Sequence, residues 1–146
     1  MEILNRKARH DYFIEDEFEC GISLKGTEVK SIRAGSCNIG DSYGHIRNGE
    51  VYILNMFIGV YKDGNIFNHD ETRTRKLLMH KREIIKLSNK IKLEGYTLIP
   101  LKVYLKNNKV KILLGLCKGK KDYDKRETTK ERDIKRQLLK REFAKY

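Results

Sequence analysis

Four histidines (His10, His45, His69, His80) and three cysteines (Cys20, Cys37, Cys117) are the residues that could hold a metal or act as nucleophiles. None lies at a ligand spacing from another, and HExxH, GxxxxGK[ST] and GxSxG strings are absent. His10-Asp11 is half of an acid–base pair with no partner nucleophile indicated. No catalytic residue, no metal and no cofactor is therefore expected. What remains suits binding. Lys102, Lys106, Lys109 and Lys111 interleave with Tyr104, offering phosphate contacts beside a stacking surface. Lysines also guard solvated strand edges, and the residues alone leave both readings open. Arg73, Arg75 and Lys76 form a second basic cluster.

Composition points the same way. Lys and Arg outnumber Asp and Glu by 32 to 20 in 146 residues, a formal net charge of +12. Such an excess suits a polyanion, either nucleic acid or an anionic membrane surface. No apolar run approaches the ~18 residues that span a bilayer, and Met1-Glu2-Ile3-Leu4-Asn5-Arg6-Lys7 is not a secretory leader. No membrane role is expected. Three unpaired cysteines fit free buried thiols in a reducing cytoplasm.

The elements that would position these groups are mostly strands. Tyr12, Ile14, Phe18, Cys20, Ile22 and Leu24 share one parity, with charged or polar residues on the other. That period of two marks a half-buried strand, with Gly21 a natural bend. Asn48-Gly49 and Asn107-Asn108 suit two-residue hairpin turns. The second turn would pair Leu105 with Val110, Val103 with Ile112 and Leu101 with Leu114. Lys102, Tyr104, Lys106, Lys109 and Lys111 then share the other face. Thr27 is expected to cap a short helix ending at Gly35. The apolar spacing predicts a longer helix over 72–94, with a break possible near His80. Together these predict a mainly β fold, a closed antiparallel barrel of the oligonucleotide-binding type.

The folded unit is expected over 1–117, followed by a tail over 118–146. The tail holds twelve basic and six acidic residues. Its apolar residues spread over half a helical wheel, too few to fold alone.

Several strings then carry a resemblance. They begin with Asn5-Arg6-Lys7-Ala8-Arg9-His10-Asp11-Tyr12, Glu19-Cys20-Gly21-Ile22 and Gly26-Thr27-Glu28-Val29-Lys30-Ser31. Asp41-Ser42-Tyr43, Arg73-Thr74-Arg75-Lys76-Leu77-Leu78, Gly95-Tyr96-Thr97-Leu98-Ile99-Pro100-Leu101 and Lys118-Gly119-Lys120-Lys121 follow, with Asp124-Lys125-Arg126 last. In this order and spacing the chain resembles the SsrA-binding protein family, from Asn5 into the tail. It departs from the family at Glu71, where Pro is usual. The resemblance implies a six-stranded barrel with three helices, acting in the bacterial cytoplasm as a monomer. It implies binding to the tRNA-like domain of tmRNA and delivery to the A site of a stalled ribosome. There the tail would enter the vacant mRNA channel and reach the small-subunit decoding centre. Carried over by position, tmRNA contacts fall on Asn5, Lys7, His10, Tyr12, Glu19, Leu78 and Lys111. Ribosome contacts fall on Gly119, Lys120, Lys121, Tyr123, Asp124, Lys125 and Arg126. Without the resemblance, a general RNA-binding barrel stays open, with a nuclease a more distant alternative.

Overall fold

The computed structural model describes residues 1–61 and 68–120. Its elements run β1 (Glu2–Leu4), α1 (Arg6–Asp11), β2 (Tyr12–Ile22), α2 (Gly26–Arg33), β3 (Cys37–Asn38) and β4 (Tyr43–Arg47). Then come β5 (Glu50–Leu54), β6 (Phe57–Ile58), β7 (Arg75–Leu78), α3 (Lys81–Glu94), β8 (Thr97–Lys106) and β9 (Lys109–Gly119). The order β8-β4-β5-β7-β2-β9, with β8 paired back to β9, closes an antiparallel ring of six strands. β1 adds outside β8, while β3 and β6 pair by themselves. The mainly β, ring-closed architecture expected from the strand pattern is thus present, with three helices.

Alternation decides what lies inside. Cys20 and Ile22 of β2, Val51 and Ile53 of β5, Leu77 of β7, Leu98 and Val103 of β8 and Ile112, Leu114 and Leu116 of β9 form one core. Ile32 of α2 and Ile84 and Leu87 of α3 pack into the same cluster. Each such side chain contributes roughly 1.5–3 kcal/mol of apolar burial.

The hairpins follow turn chemistry. Asn48 (φ 50°) and Gly49 (φ 76°), like Asn107 (φ 54°) and Asn108 (φ 63°), are both left-handed, as a type I′ turn requires. Leu105 pairs with Val110 and Val103 with Ile112, but the third expected pair fails. The register shifts between Pro100 and Lys102, so Leu114 faces Pro100 and Leu101 is the extra residue of a bulge. Leu101 thereby leaves the barrel interior. It joins Ala8, Ile99 and Cys117 in a second cluster, beneath α1 on the outer side of β8 and β9.

Three local expectations need correction. The helical stretch expected over 72–94, with a break possible near His80, is a strand followed by a helix that starts just after His80. Arg75–Leu78 alternate buried and exposed as β7, and α3 starts only at Lys81. A four-residue strand is too short to show a period of two against the helical pattern beside it. Thr27 does not cap α2 but lies inside it, and its hydroxyl meets Nδ1 of buried His69 at 2.9 Å. Glu28 serves that helix end instead, accepting from the Lys25 backbone N–H at 2.7 Å.

Nor are Arg73 and Arg75 a surface cluster at a helix start. Both converge on Glu28, whose side chain is fully buried. Arg75 Nε donates to Glu28 Oε2 at 2.6 Å and Arg73 donates to both carboxylate oxygens, at 2.9 and 2.7 Å. Arg75, itself buried, also donates to the carbonyl oxygens of Met56, Asp70 and Glu71. Burial alone would raise the Glu28 pKa. The bonds from Arg73, Lys25 N–H and Arg75 outweigh it and hold the group below the ordinary carboxylate value.

Breaking one partner strands a buried charge, so Arg75→Met should destabilise the fold by roughly 3–5 kcal/mol in urea unfolding at neutral pH. A depressed folded-state pKa gives stability that is present above the unfolded value and lost as pH falls through the folded one. Glu28→Gln should therefore flatten the acid limb of the stability curve. A wild-type acid limb in Glu28→Gln would show that the carboxylate is not the acid-sensitive group.

Candidate nucleic-acid interface

On the outer face of the barrel, register places the expected contact residues in rows. One row crosses five strands. Leu78 of β7 pairs with Gly21 of β2, Gly21 with Lys111 of β9, Lys111 with Tyr104 of β8, and Tyr104 with Glu2 of β1. The adjacent row holds Glu19, Leu113, Lys102 and Leu4. Lys106 and Lys109 close the hairpin beside them. Residues far apart in the chain, including all those expected on the basic hairpin, thus share one surface.

Gly21 is the opening in this surface. A Cβ there would lie 3.3 Å from Leu78 Cβ and Cδ1, so its absence lets the Leu78 side chain settle across the strand. Leu78 nevertheless remains 53% exposed, an apolar spot on a basic face. The part Gly21 plays beside Leu78 depends on a register invisible before β7 is known to be a strand.

Glu19 is held from two sides. The Tyr104 hydroxyl donates to Oε2 at 2.5 Å, and Lys106 Nζ donates to Oε1 at 3.1 Å. Both side chains reach it over β9. Tyr104, then Lys106, keep the Glu19 pKa below the ordinary carboxylate value. Burial, then the Glu19 carboxylate, push the Tyr104 phenol well up. Lys102 lies over the Tyr104 ring at 5.2 Å and meets Glu2 at 3.4 Å. Two of the four lysines thus have acidic partners, whereas Lys109 and Lys111 form no ion pair among the described residues. A carboxylate fixed among cations can accept from a hydroxyl or amino donor, and an ammonium group without a close carboxylate suits phosphate.

The N-terminal residues form a second group, on α1 over the far end of the same β8–β9 face. Asn5 is buried, and its side chain is spent inside the protein. Nδ2 donates to the carbonyls of Ile39 (3.1 Å) and Pro100 (2.8 Å), while Oδ1 caps α1 through Ala8 N–H at 3.1 Å. Asn5 therefore positions α1 rather than presenting an amide to solvent. Lys7 is exposed and meets Asp41 at 3.4 Å. His10 projects into solvent with Nδ1 2.9 Å from Asp11 Oδ1. Tyr12 packs against the second cluster. With Asn5, Lys7, Asp41 and Ser42 it lines a cleft of about 310 Å³.

Gly119 pairs with Tyr12 at the end of β9, and Lys120 Nζ donates to the Arg9 carbonyl at 3.2 Å, beside the Phe13 ring. Lys121, Tyr123, Asp124, Lys125 and Arg126 lie outside the described residues. Burial pushes the Cys20 and Cys37 thiols up to about 12 and Cys117 to about 11, so all three stay protonated at neutral pH. No helix among the described residues is long and apolar enough to cross a membrane.

Removing the phenolic hydroxyl isolates its effect on Glu19. In Tyr104→Phe, the Glu19 carboxyl carbon should titrate at higher pH than in the parent, since the largest lowering cause is gone. Carbon-detected NMR reads this directly. An unchanged titration would mean the Tyr104–Glu19 bond is not populated in solution.

The comparisons with known proteins fit this geometry. The family model described as SmpB protein matches residues 2–145. The SsrA-binding proteins of Staphylococcus aureus strains Newman and USA300 / TCH1516 are each 56% identical over 142 residues, covering 97% of this chain and 92% of theirs. A chain in the solved structure "tmRNA-SmpB: a journey to the center of the bacterial ribosome" is 47% identical, with a TM-score of 0.69. That match covers 82% of this chain and 84% of the other. With matches over nearly its whole length, and a barrel that superposes on that solved chain, this chain belongs to the SmpB protein family.

Proposed function

We propose that this protein binds the tRNA-like domain of tmRNA through the outer face of β7, β2, β9 and β8, and carries it to the A site of stalled ribosomes. The continuous row Leu78–Gly21–Lys111–Tyr104 carries this reading. It joins an exposed apolar side chain, an ammonium group and an aromatic ring on one rigid sheet. Glu19, fixed beside the row, supplies selectivity for a base or 2′-hydroxyl donor. Lys109 and Lys111 supply attraction to phosphate. Lys102 and Lys106 hold the acidic groups in place. Lys7, His10 and Tyr12 form a further contact at the α1 end, with Asn5 setting the position of that helix.

The body of the protein extends to Gly119, where β9 ends against Tyr12. Beyond it we assign the basic segment, including Lys121, Tyr123, Asp124, Lys125 and Arg126, to the ribosomal mRNA channel and decoding centre. Over 118–146 twelve basic residues stand against six acidic ones, an excess that suits the phosphates of an extended RNA surface. The protein assists peptide tagging without a catalytic residue of its own and acts in the cytoplasm, where ribosomes are.

The four lysines should separate in a salt titration. Lys109→Gln and Lys111→Gln should each flatten the slope of log K against log[salt] by roughly 0.7–0.9 unit. Lys102→Gln and Lys106→Gln should flatten it by much less, because each ammonium already has a carboxylate partner. Slopes for Lys109→Gln and Lys111→Gln unchanged from the parent would remove both from the phosphate contacts. A chain ending at Lys120 should bind the tRNA-like domain nearly as well as the full chain yet fail to support tagging on stalled ribosomes. Normal tagging without residues 121–146 would refute the assignment of the tail. Preference for tmRNA over other structured RNAs separates this function from that of a general RNA-binding barrel.

A further inference from the structure

The barrel ring is narrowest in its pairing between β4 and β8. These strands share a single register pair among the described residues, Gly44 with Leu98. A Cβ on Gly44 would fall 2.7 Å from Leu98 Cβ, so the strands meet closely there and part on either side. On the α1 side the gap is the cleft that holds Tyr12. On the α3 side it is a second cleft of about 310 Å³, at the lower end of the range for small-molecule sites. Tyr43 and Thr97 line both clefts, whereas Lys7 and Tyr12 line only the first, and Ser88, Ile91, Lys92 and Tyr96 line only the second.

This second cleft has the chemistry of a nucleobase site. Tyr43 and Tyr96 line it, and Tyr43 is 39% exposed. Ile46 and Ile91 supply apolar surface, while the hydroxyls of Ser88 and Thr97 supply polar groups that can meet a base edge. Its surroundings are cationic. Lys92 lines the cleft itself, and the ammonium groups of Lys118 and Lys90 stand 4.9 and 5.8 Å from the Tyr96 ring centroid. Helix α3, which forms one side, carries five basic residues against two acidic ones. Aromatic rings with lysines around them favour a planar aromatic group attached to an anionic backbone. A peptide segment would match the apolar surface but not the surrounding lysines.

The geometry points to a second RNA site at the β4–β8 seam, which takes one unstacked base of a single-stranded or bulged RNA between α3 and β4, with its flanking phosphates on Lys90 and Lys92. The site is separate from the Leu78–Lys111–Tyr104 face, so one protein could hold a structured RNA on one surface and an unpaired base on the other. This does not depend on which structured RNA occupies the outer face.

A short unstructured RNA octamer carrying a single 4-thiouridine tests it. Mixed with the full chain and irradiated, it should crosslink to peptides containing Lys92 or Tyr96, which line only this cleft. Tyr96→Leu, which keeps apolar bulk, should reduce octamer affinity by at least about fivefold through lost stacking. Lys92→Glu, on the exposed side of α3, should weaken the octamer comparably and leave the thermal transition unchanged, which guards against misfolding of the tyrosine variant. Lys92→Glu should change affinity for the tRNA-like domain of tmRNA by less than about twofold, since Lys92 lines only the second cleft. Crosslinks confined to the β8–β9 face, or octamer affinity unchanged in both variants, would overturn the proposal. So would capture of an apolar peptide by the cleft with no competition from the octamer.

Discussion

Glu28 is a fully buried carboxylate with two arginines on it, and the placement of β7 depends on how that charge is satisfied. Arg73 and Arg75 come from the segment that leads into and begins β7, and α2 supplies the carboxylate. Arg75 goes on to hold the Met56, Asp70 and Glu71 carbonyls, so one guanidinium joins α2 to the approaches of β6 and β7. An isolated carboxylate at this depth would be prohibitively desolvated; with its hydrogen bonds complete, it imposes one arrangement on three segments. β7 then fits between β5 and β2, closing the ring and carrying Leu78 to the outer face. The outer face that carries Leu78 therefore rests on a buried ion pair.

That arrangement also separates two uses of basic residues. Arg73 and Arg75 are structural, and Arg75 is out of reach of any ligand. Lys102 and Lys106 sit at the surface but are engaged with Glu2 and Glu19. Only part of the +12 charge is then available to phosphates at this face. The engaged lysines and Tyr104 instead fix the direction of the Glu19 carboxylate. A carboxylate set into a polyanion's binding surface lowers affinity for any phosphate nearby, so its value lies in discrimination. Leu78, exposed beside it, adds an apolar contact that a purely electrostatic surface lacks.

How much of this could be read in the sequence divides by distance along the chain. The turns at Asn48-Gly49 and Asn107-Asn108 were legible because two adjacent residues that accept positive φ suffice to specify them. The first two pairs of the β8–β9 hairpin followed directly. The third did not, because the bulge at Leu101 depends on α1 packing over Ile99 and Cys117, a tertiary contact. The arginines of 73–76 looked like an exposed cluster because their partner, Glu28, stands 45 and 47 residues earlier. The strand character of Arg75–Leu78 was hidden for the same reason: its neighbours, Val51–Ile53 and Gly21–Ile22, are remote. Asn5 was singled out only by resemblance; its amide bonds to Ile39, Pro100 and Ala8 join segments too remote for any local pattern to announce.

In the function we propose, one outer face, assembled from β7, β2, β9 and β8, receives the tRNA-like domain of tmRNA. Amide and side-chain NMR shifts of the full chain on adding that RNA domain test it most directly. The interface requires the largest changes at Leu78, Gly21, Lys111, Tyr104 and Glu19, a further set around Lys7, His10 and Tyr12, and little change at Ile53. Saturating RNA that leaves the Leu78–Gly21–Lys111–Tyr104 row unshifted would contradict it.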